Sequence, residues 1–409
     1  MIRVLIFFLS FLYFTSNAQE SEPYSVGKNY WINSKILKEK IEISIYLPEN
    51  YKSTITNYPV LYILDGQRYF LNGVLYQHTL KWQDKTPDFI VVGIKTNNRQ
   101  RRKLFSRDSK KFIQFLNSEL VPYLENNYRT SSKRYLFGWE MAGGLAIEIL
   151  TSIHNLFSTY FISSPTHLTD ERLQKLSNKL SQDKNPTELI YVTLGSNEDW
   201  ALSSIEKLQK ILRDNNSSKL KWKYELYEDE NHHSTPTLTM HKGLNLYFND
   251  YVYLRFKSLK EFEDFGGIDQ LKKHFVERGR KYDISKAIHK STKHFLLLQA
   301  MKENDFESFV LFMNEFKDYY KTKTRDSWFN RYAQFYLKHN HPNQAIEILN
   351  YGQNKFPNSA ILQASLGDTF FSTGNKEKAR NHYQKALDLA IKNDDDDIDI
   401  YKTKIEQIK

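Results

Sequence analysis

Apolar positions along the chain fall into three regimes. From Val4 to Phe14 they form an unbroken run apart from Ser10. From Ile41 to about Phe248, short apolar runs alternate with helix-period segments. After roughly Tyr251 only helical spacing remains. In the middle regime Ile41-Glu42-Ile43-Ser44-Ile45-Tyr46 alternates with period two, which predicts a half-buried antiparallel strand. Pro59 to Leu64 and Phe89 to Ile94 are continuous runs, as expected of strands covered on both faces. Arg134 to Phe137, Leu156 to Ile162, Glu188 to Leu194 and Lys221 to Tyr227 complete the predicted strands. Ser109 to Tyr123 places Phe112, Phe115, Leu116 and Leu120 at helical spacing, and Gly143 to Leu150 also reads as helix. Strands alternating with helices predict an α/β class, a mostly parallel sheet between helix layers.

The leading run has the order of a secretory signal peptide. Met1-Ile2-Arg3 is a short positive start, and Thr15-Ser16-Asn17-Ala18 offers small residues around a cleavage point. The run is short for a membrane span, so residues 1–19 are read as a leader cut after Ala18 or Gln19, with an uncleaved anchor as the alternative. No later stretch is apolar enough to cross a bilayer, and the expected destination is a periplasm or the outside of the cell. Export permits disulfides, yet the 409 residues contain no cysteine, which excludes a lipid-modified cysteine, a disulfide scaffold and a thiol nucleophile. With 27 Phe and 27 Tyr the core is large enough to hold without staples. The net charge of +10 is spread along the chain, with one dense cluster from Arg99 to Lys111. That pattern predicts a solvated basic surface and no nucleic-acid partner.

The end of the chain repeats. Ala345 and Ala379 are 34 residues apart, as are Ala333 and Gly367, Tyr336 and Phe370, and Leu349 and Tyr383. Each pair falls on a small or large position of a pattern that resembles the tetratricopeptide repeat. Pro357 closes the first copy, while Ile391 stands where the second would have proline. Two such hairpins bury little alone, and Phe295 to Phe316 reads as a degenerate earlier one. The expected organisation is a leader at 1–19, an α/β domain at 28–250, a helical linker or degenerate repeat at 251–325, two repeats at 326–393 and an acidic helical tail at 394–409. Asp394 to Asp397 reads as a solvated helix end.

Chemistry concentrates at Tyr135-Leu136-Phe137-Gly138-Trp139-Glu140-Met141-Ala142-Gly143-Gly144-Leu145, a strand, a tight turn and a small-residue helix start. This is the layout of a nucleophile elbow, in which Gly138, Ala142 and Gly143 let strand and helix backbones meet. Its central position holds Glu140 where serine is expected. Four further stretches follow in order: Tyr58 to Gln67, Gly93-Ile94 with Asn98-Arg99, Phe115 to Thr130, and Leu194-Gly195-Ser196-Asn197-Glu198. Together these segments resemble the esterase D and enterochelin-esterase-like family of α/β-hydrolases, often written as "putative esterase". The resemblance covers about residues 28 to 250, and fusion to tetratricopeptide repeats also occurs in that family.

The resemblance implies an α/β-hydrolase fold and a nucleophile, acid and histidine in that chain order. The acid falls on Glu198, with Asp199 as the alternative. The histidine falls on His232 of Asn231-His232-His233-Ser234-Thr235-Pro236, with His233 second. The backbone N–H of Met141 and one near Gly66 or Gln67 would form the oxyanion hole. The family's histidine-serine pair has become Trp139-Glu140, and the segment from Arg99 to Ser109 is shorter and more basic than usual. Without a hydroxyl at 140 the two-step acyl transfer lacks its attacking group. Glu140 then ion-pairs with His232, or attacks as a carboxylate, or activates water together with His232. Blander readings of the other residues are a polar helix cap at Ser234 or Thr235 and a helix-start carboxylate at Glu198. Glu228, Asp229 and Glu230 beside the two histidines match no usual metal-ligand spacing. The leading expectation is an impaired hydrolase homologue that binds an ester-like small molecule, with repeats that recruit a protein or peptide and no cofactor or metal. The alternative is a serine-independent hydrolase.

Overall fold

The computed structural model of the chain describes residues 26–182, 189–215 and 220–408. The expected leader therefore lies outside the described residues. The chain divides into two compact units, Met1–Asn249 and Asp250–Lys409.

The first unit is built on eight strands: β1 (Lys28–Ser34), β2 (Glu39–Tyr46), β3 (Tyr58–Leu64), β4 (Ile90–Ile94), β5 (Thr130–Trp139), β6 (Thr159–Ser163), β7 (Leu189–Gly195) and β8 (Trp222–Tyr227). They form one sheet in the order β1-β2-β4-β3-β5-β6-β7-β8. β1 and β2 join antiparallel, β2 pairs antiparallel with β4, and every later pairing is parallel. β3, β4 and β7 are buried along their whole length, which explains their uninterrupted apolar runs. β1 is an edge strand that the apolar pattern did not predict. Its KNYWINS sequence is mostly exposed or half-buried, so it carries little periodic signal.

The helices of this unit are α1 (Gly66–Trp82), α2 (Asn98–Arg102), α3 (Ser109–Phe115), α4 (Val121–Asn127), α5 (Met141–Ser152), α6 (Asp170–Gln182), α7 (Leu202–Asp214) and α8 (Thr235–Tyr247). α1 packs on β3 and β4 and α8 on β6 and β7, with α1 against α8, which makes one layer. On the opposite face Phe112, Leu145, Leu173 and Ile205 share a core with Val60, Tyr62 and Leu64. Alternate residues along β3 thus serve one face, as the two-residue period of a strand requires. Two π-helical turns, Lys103–Arg107 and Leu116–Leu120, link α2, α3 and α4 into one continuous helical path. The segment expected as a basic surface therefore begins as helix. Asn97 caps it by accepting from the Gln100 N–H at 2.9 Å, while Gln100 accepts from the Asn97 N–H at 3.2 Å.

The second unit is all helical among its described residues: α9 (Leu259–Asp264), α10 (Gly267–Tyr282), α11 (Lys290–Lys302), α12 (Phe306–Phe316), α13 (Asp326–Lys338), α14 (Pro342–Lys355), α15 (Ala360–Ser372), α16 (Lys376–Asn393) and α17 (Ile398–Glu406). α13 and α15 start 34 residues apart, and so do α14 and α16. Ala333, Gly367, Ala345 and Ala379 are buried where consecutive helices cross. Their large neighbours fill the adjoining space, Leu349 and Tyr383 being buried and Phe370 half-buried. One core runs from Phe256 through Phe309 and Tyr332 to Leu366, so α11 and α12 share an interior with the later helix pairs.

Gly367 shows how tight the crossing is: a Cβ there would lie 2.4 Å from ring carbons of Tyr383. Helix propensity favours alanine over glycine by about 1 kcal/mol. Overpacking a filled core costs about 1–3 kcal/mol, and Tyr383 is tethered through its hydroxyl to Asp368 at 2.7 Å. Gly367→Ala is therefore expected to lower the urea midpoint of the helical unit, followed by far-ultraviolet circular dichroism. A raised midpoint would mean that the ring moves aside freely.

Candidate active site

β5 ends at Trp139 and α5 begins at Met141, which leaves Glu140 alone in the turn with φ 55° and ψ −117°. A side-chain-bearing residue in such a conformation stores about 1–3 kcal/mol of strain, so its surroundings must hold it. Here the backbone does so. The Glu140 N–H donates to the Ser163 carbonyl at 3.1 Å, and the Glu140 carbonyl accepts from Gly143, Gly144 and Thr166 at 3.0, 3.2 and 3.0 Å. Gly138 is needed because a Cβ there would sit 2.5 Å from the Ala142 carbonyl oxygen. The turn tip thus projects the 140 side chain from a rigid junction.

The carboxylate of Glu140 is about a quarter exposed and accepts from Nη1 of Arg101. Arg101 is itself buried, with its Nε bonded to both oxygens of Asp65 at 2.9 and 2.8 Å and its Nη2 bonded to the Trp139 carbonyl at 3.2 Å. Asp65 is fully buried, stands in the left-handed region at φ 57°, and precedes the first turn of α1. It also accepts from the Thr96 hydroxyl at 2.9 Å. Burial, the largest influence, pushes the Arg101 pKa down, but Asp65 and then Glu140 outweigh it and hold the guanidinium above its ordinary value. One cation therefore bridges two carboxylates.

The ion pair expected between Glu140 and His232 does not form, because each finds a different partner. Nδ1 of His232 lies 2.7 Å from Oε2 of Glu198. Glu198 is buried and also accepts from the Ser164 hydroxyl at 2.6 Å and the Gly195 N–H at 2.9 Å. Burial acts most strongly on this carboxyl and pushes its pKa up. The His232, Ser164 and Gly195 bonds together overcome that and hold it below the ordinary 4.5. A carboxylate acceptor at Nδ1 places the imidazole proton there, which leaves the Nε2 lone pair for the cleft. The His232 ring packs on Trp139 at 4.9 Å and on the exposed Trp200 at 5.3 Å, and the Trp139 indole N–H holds the His232 carbonyl at 2.8 Å.

The alternates sit outside this pair. Asp199 opens a 3-10 turn after Glu198, and His233 bonds through its backbone to Asn231 at 2.9 Å with its ring 5.7 Å from Trp139. Ser163 and Ser164 are fully buried and bond to Thr235 and Glu198, not to the imidazole. Met141 heads α5 and Gly66 heads α1, so both have backbone N–H groups beyond the reach of an intrahelical acceptor. Arg101 stands between these two helix starts through its bonds to their preceding residues. Arg101 and Asp65 were not predicted as site residues. The available signal was an aspartate directly after an all-apolar strand, which demands a cation, and an arginine-rich segment downstream to supply it. A groove of about 500 Å³ is lined by His167, Arg107, Lys110 and Lys175 among others. Burial first, then Arg172, pushes the His167 pKa down.

Residues 34–243, just over half of the chain, match the model of the family described as "putative esterase". The chain belongs to that family. This esterase-family chain is similar to the uncharacterized protein YbbA of Bacillus subtilis (strain 168), with 20% identity over 180 residues, 40% of this chain and 71% of that protein. Its fold is shared with an IroE-like serine hydrolase from Shewanella oneidensis, at TM-score 0.57 and 19% identity, covering 70% of this chain and 98% of the other. An uncharacterised protein from Capnocytophaga ochracea DSM 7271 superposes at TM-score 0.57 and 16% identity over 93% of this chain and 99% of its own. That coverage reaches into the helical unit.

The lowered pKa of Glu198 sets a direction for pH dependence. Its contribution to stability is present above the ordinary value of 4.5 and is lost as pH falls through the depressed one. Glu198→Gln should be less stable than the parent at pH 7, and the gap in urea midpoints should narrow on descending to about pH 3. A gap that stays constant with pH would show that the carboxylate charge contributes nothing.

Proposed function

We propose that this chain is an exported esterase-family homologue whose α/β domain binds an ester-like small molecule instead of hydrolysing it by acyl transfer. The observation that carries this reading is the state of Glu140. It occupies the elbow position where the chemistry needs a hydroxyl, and its carboxylate is engaged by an arginine that a buried aspartate anchors. A guanidinium on Oε2 draws charge from the carboxylate and weakens it as a nucleophile, and glutamate also supplies no proton for the histidine to remove. The 34-residue helix pairs support a tetratricopeptide role, docking a protein or peptide partner. The leader-like first residues support export.

One observation favours a second reading. The Glu198–His232 pair keeps the geometry of a general base, with Nε2 facing away from its acid. On that reading His232 activates water directly. Short-chain nitrophenyl esters offered to the purified mature protein separate the two. Binding without acyl transfer predicts an inactive parent, an inactive Glu140→Ala variant and a Glu140→Ser variant that rises about 100-fold or more above background through the intact His232. Hydrolysis by the parent would overturn the binding reading, and its persistence in Glu140→Ala with loss in His232→Ala would establish the second.

A further inference from the structure

We propose that the helical unit contains a second ligand site, separate from the esterase-type cleft, that binds an oxyanion of the carboxylate or phosphate kind. Its walls are α11, α13 and the stretch from Tyr319 to Lys323 that precedes α13. Four basic side chains meet there: Lys293 and His294 from α11, Lys323 from the connecting stretch and Arg331 from α13. They surround two aromatic rings. The Lys323 ammonium lies 4.4 Å from the Tyr319 ring and 5.0 Å from the Trp328 ring. The Arg331 guanidinium lies 4.7 Å from the same Trp328 ring, and Lys293 lies 5.8 Å from Tyr319.

The group that needs explaining is Lys323. It is only 9% exposed, yet its bonding partners are neutral acceptors, the Tyr319 hydroxyl at 2.9 Å and Nδ1 of His294 at 3.1 Å. Among the described residues no carboxylate lies within ion-pairing reach of Lys323, Lys293 or Arg331. Burial alone pushes the Lys323 pKa down, to about 8, and burial alone lowers Lys293. His294 is lowered by burial first and then by the charges of Lys323 and Arg331. Withdrawing an ammonium from water without a counter-charge is costly, and cation–π contact returns only about 0.5–2 kcal/mol of that. Other basic side chains of this unit do find carboxylates, although buried Arg278 also bonds a neutral acceptor, the Tyr251 carbonyl at 2.7 Å. Lys281 bonds Asp250 at 2.7 Å, Lys272 bonds Glu315 at 2.7 Å and Lys404 bonds Asp368 at 2.5 Å.

The donors converge in a way that an oxyanion completes. His294 accepts from Lys323 at Nδ1, so its proton sits on Nε2, where it is available to donate. Arg331 and His294 stand at the Trp328 ring with Lys323, and Lys293 stands at the neighbouring Tyr319 ring, so charged and neutral donors border these two aromatics. A carboxylate or phosphate oxygen supplies the lone pairs and negative charge that the cluster lacks. Charge-assisted bonds to it would offset the burial of Lys323.

The test uses the full chain, with thermal unfolding of the helical signal followed at pH 7 and constant ionic strength. Sodium phosphate and sodium acetate are titrated in separate arms against sodium chloride. The site predicts that phosphate, acetate or both raise the helical unit's melting temperature beyond chloride, and the two arms tell which oxyanion it prefers. Lys323→Met keeps the length of the side chain and removes the uncompensated charge. It should melt above the parent without oxyanion and lose the oxyanion response. Arg331→Gln alters an exposed side chain that the fold does not need, and should require about tenfold more oxyanion for the same rise. A parent that responds to phosphate and acetate no more than to chloride would overturn the site. So would a Lys323→Met variant that melts below the parent, because that outcome assigns the ammonium a purely structural place on its two rings.

Discussion

A carboxylate shut away from water keeps its charge only beside a cation, and Asp65 is fully buried at the end of an all-apolar strand. Arg101 meets that demand with its Nε, and in doing so it is fixed in place before it reaches Glu140. The same guanidinium ties three separate pieces of chain: the start of α1, the helical path after β4, and the turn between β5 and α5. The position of the Glu140 carboxylate follows from this buried pair. It meets an arginine that cannot itself withdraw without leaving Asp65 uncompensated.

Trp139 touches both of the site's charge systems. Its ring lies 5.3 Å from the guanidiniums of both Arg68 and Arg101 and packs 4.9 Å from the His232 imidazole. Its indole N–H also fixes the backbone of the histidine loop. Asp65, Arg101 and Glu140 balance one another in the first, while Glu198 and His232 pair in the second. Glu140 and His232 do not satisfy each other because Arg101 takes the one and Glu198 the other. The acid–histidine arrangement stands intact but faces a turn whose tip carries a paired carboxylate.

The helical unit obeys a different constraint, the closeness of crossing helices. Gly367 and Tyr383 occupy complementary space, and Ala345 and Ala379 recur at the equivalent crossings. Hydrogen bonds reinforce the same spacing, as in Ser365 to Asn330 at 2.5 Å and Ser359 to Asp326 at 2.6 Å. Polar groups here are mostly paired between neighbouring helices. In the cluster around Lys323 the partners are neutral, the Tyr319 hydroxyl and the His294 imidazole.

Much of this was legible in one dimension. Continuous apolar runs marked β3, β4 and β7 because both faces of those strands are covered, and the 34-residue recurrence marked the helix pairs because small and large residues must alternate where helices cross. The elbow could be read from Gly138, Ala142 and Gly143, whose small size the backbone contact requires. β1 escaped because an edge strand needs no apolar period. The bridge from Asp65 through Arg101 to Glu140 escaped for a deeper reason. Those residues are separated by 36 and 39 positions, and no local pattern states which of several arginines turns inward. The order of residues determined which chemistry stands at the turn; only the packing of β3, β4 and β5 side by side decided which charge each carboxylate would meet, because electrostatic pairing depends on distance in space and not along the chain.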